Sequence, residues 1–130
     1  FKFYKGNITV ESDNKTTTVN LTFEDINLND TNKGIIKFVN NTGKTITYLY
    51  KRNIGGEFGS DMLGFATTLS NGNYFYAFVD PGTYDFKANT RTSSSESGID
   101  YVSKTSSNPS GIVIVRSEIK TWTITALDKL

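Results

Sequence analysis

From residue 40 to residue 86 the chain reads NNTGKTITYLY, then GGEFGSDMLG, then LSNGNYFYAFVDPGTYDF. Two strand-like runs are joined by a Gly-rich connection, and the second closes on a Pro-Gly turn that launches a third. A chain written this way folds as β structure. Apolar residues recur with a period of two or in short dense runs, and turn-forming residues fall between them.

The same grammar continues outside this stretch. Residues 16–23 place Thr17, Val19, Leu21 and Phe23 on one face, as in a half-buried strand. Residues 34–40 are denser, with Ile35 and Val39 opposite Ile36 and Phe38, so both faces of that strand are expected to be covered. Residues 45–51 put Ile46, Tyr48 and Tyr50 together, opposite Thr47 and Leu49. Residues 73–79 are apolar on both faces, which predicts a central strand. Residues 83–89 alternate Tyr84, Phe86 and Ala88 with Asp85, Lys87 and Asn89. Residues 112–116 and 119–126 complete the set, the last with Trp122 and Ile124 against threonines.

Asn41-Thr42-Gly43-Lys44 and Asn71-Gly72 suit tight hairpins, because Asn and Gly tolerate positive φ. Pro81-Gly82 matches a type II turn with Gly82 at positive φ. No segment sustains a 3.6-residue period, and residues 60–65 are the best place for a short helical turn. The expected fold is all-β, a single antiparallel β-sandwich domain of about seven to nine short strands spanning residues 1–130.

Two absences restrict the chemistry. The chain has neither Cys nor His. Disulfides, zinc–thiolate sites, iron–sulfur clusters, thiol catalysis and a Ser-His-Asp triad are therefore outside its reach. A pair of carboxylates suffices to hydrolyse a glycoside, but nothing in the spacing of Asp25, Asp61, Asp80, Asp85, Asp100 and Glu118 singles one out. We therefore expect no enzyme activity and no cofactor. Charge nearly cancels, 14 Lys and Arg against 13 Asp and Glu, which argues against nucleic acid as a partner. No apolar run approaches the ~18 residues of a membrane-spanning helix. The chain opens on Phe1-Lys2-Phe3 without a Met, as a trimmed exported protein would.

Metal binding has two candidate patterns. Asp25-Ile26-Asn27-Leu28-Asn29-Asp30 mimics the start of an EF-hand loop, but Asp30 occupies the glycine position and Ile36 that of the bidentate Glu, so it is rejected. Asp61, with Asp80 and Asp85, offers carboxylates to a hard cation. The favoured role for Asp61 is instead to cap a turn that ends at Gly64, with Met62, Leu63 and Phe65 dipping into the core. Sequons stand at Asn7, Asn14, Asn20, Asn29 and Asn40. They are glycan acceptors only where exposed and where the source glycosylates.

Seven Tyr, nine Phe and one Trp raise the question of a binding platform. Tyr48, Tyr50, Tyr74 and Tyr76 fall on strands that look adjacent, and exposed together they would stack against sugar rings. Core filling is the favoured reading, since Tyr joins an apolar body to a polar tip. Residues 90–110, rich in Ser and Thr, read as a mobile surface loop or as a binding loop presenting Tyr101. A short edge strand at 99–103 fits either.

Part of the chain resembles a group of small exported bacterial proteins, mostly uncharacterised. They carry an N-x-T-G, I-x-x-L-Y pattern, then W-G-x-D-x-L-G, then a Pro-Gly turn followed by Tyr-Asp. The matching residues are Asn41, Thr42, Gly43, Ile46, Leu49 and Tyr50, then Gly59, Asp61, Leu63 and Gly64, then Pro81, Gly82, Tyr84 and Asp85, with Phe58 in place of Trp. The resemblance implies an exported β-sandwich of unknown role and carries over no catalytic residue; an immunoglobulin-like sandwich is the form expected. The roles that fit are a binding module at the cell surface or in the periplasm for a glycan or another surface protein, and a filament subunit. In the last case residues 1–10 would add to a neighbour's sheet. Gly6-Asn7 favours instead a hairpin within the same domain, covering one of its own edges.

Overall fold

The computed structural model describes residues 32–64, 66–103 and 111–130. The expected strand at 16–23, the segment 1–10, the rejected EF-hand pattern and the sequons at Asn7, Asn14, Asn20 and Asn29 lie outside the described residues. Seven strands follow in order: β1 (Gly34–Asn41), β2 (Tyr48–Asn53), β3 (Tyr74–Val79), β4 (Gly82–Asn89), β5 (Asp100–Val102), β6 (Ile112–Ile114) and β7 (Ile119–Thr125). A 3₁₀ turn, Ala126–Asp128, follows β7 and is capped reciprocally by Thr125 and Asp128.

The strands form two sheets. One has the order β3-β1-β7; the other runs β2-β4-β5, with β6 also paired to β4. β1 pairs antiparallel with β3, setting Phe38 opposite Phe75, and parallel with β7, setting Phe38 opposite Trp122. That parallel pair corrects the expectation of a purely antiparallel fold. Parallel neighbours need a long crossover connection, so no local turn announces them. The centre of the first sheet also moves. Among the described residues β3 lies at one end of its sheet and β1 in the middle, although both faces of β3 are apolar.

The inner faces of both sheets meet in one core. Ile36, Phe38, Val79, Trp122 and Ile124 come from the first sheet, and Leu49, Tyr84, Phe86, Ala88, Tyr101 and Ile114 from the second. The Phe38 ring meets Phe86 edge-on at 5.3 Å and Trp122 at 6.2 Å. Ile35 and Tyr76 form a smaller cluster on the other face of the first sheet, where Phe78 and Ile119 join them. This outer cluster explains why β1 and β3 read as apolar on both sides.

The turns do not make the hairpins expected of them. β1 and β2, and likewise β3 and β4, lie in different sheets, so residues 42–47 and Asp80-Pro81 carry the chain across the core. Asn71-Gly72 occupies the middle of a turn closed by Asn73 N donating to Ser70 O, with Gly72 at φ +86°. Its incoming arm bridges Leu69 to Ile46, and its outgoing arm pairs with β1. Residues 60–64 contain no helical turn, because the Asp61 carboxylate is committed to β2.

Gly82 also departs from expectation. It is not at positive φ; it is the extended first residue of β4 and pairs with Ile114. Its lack of a side chain serves packing: a Cβ there would stand 3.1 Å from the Tyr84 hydroxyl and 3.2 Å from its ring carbon Cζ. Tyr84 folds back over Gly82 to donate its hydroxyl to Asp80 O at 2.8 Å. Gly82→Ala should therefore cost about 1–2 kcal/mol, by crowding the ring and disturbing that hydrogen bond. Urea unfolding of Gly82→Ala and of Gly82→Ala with Tyr84→Phe tests this. If the alanine costs as much in both backgrounds, the hydroxyl contributes nothing to the penalty.

Candidate functional site

The outer face of the β2-β4-β5 sheet carries the densest set of chemically useful side chains. Alternation in β2 puts Tyr48, Tyr50 and Arg52 on that face, opposite the core residue Leu49. Register then sets them against β4: Tyr48 beside Asn89, Tyr50 beside Lys87 and Arg52 beside Asp85. Phe58 arrives from the connection after β2, which is folded back by Gly56 N donating to Asn53 O and Gly59 N to Lys51 O.

These groups form a ladder of rings and cations. Arg91 lies 4.5 Å from the Tyr48 ring centre, and Tyr48 and Tyr50 are parallel within 2° at 5.9 Å. Lys87 Nζ sits 5.1 Å from the Tyr50 ring and 4.6 Å from Phe58, and Arg52 lies 4.5 Å from Phe58. Arg91 also donates to the Tyr50 hydroxyl at 3.1 Å. Cations held over rings lose much of their rotamer freedom, so the face is ordered before any partner arrives.

The loop that supplies Arg91 is tied down by its own polar groups. Asn89, 5 % exposed, accepts from Arg91 N at 2.7 Å and donates to Ser97 O and Asp100 Oδ1. Thr92 donates twice to Glu96, through N and Oγ1. These bonds hold the Glu96 carboxyl below the usual carboxylate range. The described part of the Ser/Thr-rich segment is thus a hydrogen-bonded turn that sets Arg91 against Tyr48.

Two concavities flank the ladder. One, of about 340 Å³, is lined by Thr47, Tyr48, Asp61, Thr68 and Arg91. The other, of about 300 Å³, is lined by Arg52, Phe58, Asp85, Lys87, Asp100 and Leu130. Two buried polar atoms among the described residues lack a hydrogen-bond partner: Asp85 Oδ1 and Arg91 Nε. Each belongs to a residue lining one of these concavities.

The tyrosines do not make the flat platform their spacing suggested. Tyr48 and Tyr50 stand on the second sheet, Tyr74 and Tyr76 on the first, so the pairs face different ways. Tyr76 is buried, and Tyr101 is 3 % exposed within the core, so neither presents a ring to a ligand. Tyr74 is 56 % exposed but lies edge-on to Tyr76, with Lys37 over its ring at 4.7 Å.

Asp61 Oδ1 accepts from Leu49 N and Leu63 N, both at 3.0 Å, while Met62 N donates to Leu49 O. The G-x-D-x-L-G piece therefore covers the outer edge of β2, with Gly64 at φ +79° closing it. Asp80 pairs with Lys33 at 2.7 Å and Asp85 with Arg52 at 3.2 Å, so the three carboxylates stand apart. Among the described residues no group of His, Cys, Asp or Glu is placed to hold a metal ion, and no helix is long and apolar enough to cross a membrane.

Arg52, Lys87 and Arg91 were not singled out by sequence reasoning. The alternation of Asp85, Lys87 and Asn89 was visible, but the register that sets them beside β2 was not.

Burial raises the Tyr50 hydroxyl pKa above its ordinary value, with the nearby Asp61 adding to the effect and Arg91 opposing it. Burial does the same at Tyr84, where Asp80 adds to it. A raised folded-state pKa contributes stability that is fully present below the unfolded value of ~10 and lost as pH rises through the folded one. The urea midpoint should fall between pH ~9 and ~11, and less steeply in Tyr50→Phe. An identical slope in that variant would mean Tyr50 plays no part.

Compared with known protein families, with curated proteins and with solved structures, the chain matches none.

Proposed function

We propose that this chain is a non-enzymatic, exported β-sandwich module of the group it resembles, and that it binds a glycan on the outer face of β2, β4 and β5. The observation that carries the reading is the ladder running from Arg91 through Tyr48, Tyr50, Lys87 and Phe58 to Arg52, between two concavities. Planar and charged hydrogen-bonding groups held beside aromatic rings suit a ligand that is hydroxylated and partly apolar. The ring faces already carry cations, so a sugar meets ring edges and N–H donors rather than an open stacking surface. Because the rings hold those donors in place, binding costs less side-chain entropy than it would for free lysines and arginines.

The sandwich part of the reading is supported by the rings of both sheets meeting at Phe38, Phe86 and Trp122. The non-enzymatic part rests on the lack of Cys and His and on the engagement of the two carboxylates that line the second concavity, Asp85 with Arg52 and Asp100 with Asn89.

Retention on immobilised neutral and acidic polysaccharides tests the function. The wild-type chain should be retained by at least one, the Tyr48→Ala/Tyr50→Ala double variant should not, and Tyr74→Ala on the other sheet should behave as wild type. No retention on any polysaccharide, or loss of retention in Tyr74→Ala, would refute the assignment.

A further inference from the structure

We infer that the concavity between Asp61 and Arg91 is a subsite for a neutral sugar ring of the glycan, gripped through adjacent hydroxyls; this rests on the glycan-binding reading and narrows it. Asp61 and Arg91 line the same space of about 340 Å³ yet form no ion pair with each other among the described residues. The Asp61 carboxylate is fixed through Oδ1, which accepts from Leu49 N and Leu63 N, both at 3.0 Å. Its Oδ2 accepts no hydrogen bond among the described residues and, unlike Asp85 Oδ1, is not sealed from solvent. An accessible acceptor is thus held in place with its bonding capacity unspent.

Arg91 supplies the donors. Its guanidinium lies 4.5 Å from the Tyr48 ring centre and spends an Nη2 hydrogen on the Tyr50 hydroxyl at 3.1 Å. Nε is buried, so the donors left for a ligand are at the Nη end. The backbone of Arg91 is anchored as well, its N donating to Asn89 Oδ1 and its O accepting from Thr47 Oγ1. Thr67 and Thr68 line the same concavity, are exposed, and make no side-chain hydrogen bond among the described residues. Their stretch is shaped in advance: Ala66 holds φ +62°, and Leu69 exchanges two backbone bonds with Ile46 at 2.8 and 2.9 Å. A sugar hydroxyl both donates and accepts, so neighbouring hydroxyls on one ring can give to Asp61 Oδ2 and take from Arg91 in one pose. A uronate would bring its carboxylate against Asp61, and an amino sugar its charge against Arg91; a neutral ring meets neither cost. A zwitterionic amino acid matches both charges, but must desolvate two full charges against partners already satisfied in part.

Calorimetric titration with neutral oligosaccharides of mannose, galactose and glucose, their O-methylated forms, an oligogalacturonate and glutamine tests the subsite. At least one neutral series should bind the wild-type chain, and its O-methylated form, which has no hydroxyl to donate, should bind about tenfold more weakly or worse. Asp61→Asn keeps an acceptor for Leu49 N and Leu63 N but turns the open oxygen into an N–H donor, and should weaken the neutral sugar by roughly tenfold. Should Asp61→Asn fail to fold, the Thr67→Val/Thr68→Val double variant, on an exposed stretch outside the ladder, decides the matter and should weaken the neutral sugar about fivefold. Unchanged binding of the neutral sugar in the folded variants overturns the subsite while leaving the glycan face standing. Oligogalacturonate or glutamine binding as tightly as the best neutral sugar does the same. A chain that binds no oligosaccharide of any kind overturns both.

Discussion

Asn40→Ala is expected to destabilise the protein by on the order of 3–4 kcal/mol, enough to unfold a marginal domain. Asn40 is fully buried, and its side chain bonds in every direction it can. Nδ2 donates to Lys44 O and Leu69 O, both at 2.8 Å, and Oδ1 accepts from Thr42 N at 3.0 Å and Thr42 Oγ1 at 2.8 Å. Its backbone donates to Asn73 O and accepts from Gly72 N, while Gly43 N, at a residue with φ +80°, donates to Asn71 Oδ1. One asparagine thus ties the turn after β1 to the turn before β3. Truncation removes all four side-chain bonds and leaves Thr42 N without its acceptor, while Leu69 O keeps Ile46 N and Lys44 O keeps Thr42 Oγ1; a bond lost in such part-buried surroundings costs ~1 kcal/mol net. Asn40→Asp should fare no better, because a carboxylate oxygen would then face two carbonyl oxygens. Urea unfolding of both variants checks this, and a loss below about 1 kcal/mol in either would mean the turns are held by something else. The same burial removes Asn40 from the candidate glycan acceptors.

Phe38→Ala is the second large effect, expected at about 3–5 kcal/mol. The ring is fully buried at the meeting of the sheets, edge-on to Phe86 at 5.3 Å and to Trp122 at 6.2 Å, with Phe75 at 6.4 Å. Removing it opens a cavity bounded by rigid rings that cannot collapse inward. Trp122, the chain's single tryptophan, reports on the site directly. Its near-ultraviolet circular dichroism should weaken together with stability. A near-neutral change in stability with an unaltered Trp122 signal would show that the sheets do not share this core.

Much of the strand layout is legible in the residue order because period-two alternation and burial are local. Trp122 and Ile124 alternate with exposed Thr121 and Thr123 as the pattern requires, and Tyr84, Phe86 and Ala88 face the core together. The role of Asp61 is likewise readable, since a carboxylate among glycines before a returning apolar pair is a natural acceptor for backbone N–H groups. What local pattern lacks is pairing. Whether Asn71-Gly72 joins two strands of one sheet or carries the chain elsewhere depends on Asn40, more than twenty residues earlier in the chain. Pro81-Gly82 has the composition of a type II turn, but the ring of Tyr84 and the partner Ile114 hold Gly82 extended.

The candidate site was harder still to read. Tyr48 and Tyr50 were visible as aromatic residues on one face, and Asp85 and Lys87 as a polar one. Only the β2–β4 register places Lys87 beside Tyr50 and Arg52 beside Asp85. Arg91 reaches Tyr48 because Asn89 and Asp100 shape the following loop, a contact no periodicity encodes. The tyrosines that looked alike by spacing therefore diverge: Tyr101 fills the core, Tyr76 is buried on the first sheet, and Tyr48 and Tyr50 join a ladder with cations.

The measurement that tests the glycan face most directly is residue-by-residue amide and side-chain chemical-shift mapping. The wild-type chain would be titrated with the oligosaccharide that retains it best. Shifts should concentrate at Tyr48, Tyr50, Arg52, Phe58, Lys87 and Arg91 and saturate with a single affinity. Tyr74 and Lys37, on the other sheet, should not move. Shifts centred on Tyr74 and Lys37, or no saturable shift with any neutral or acidic oligosaccharide, would contradict the assignment of this face.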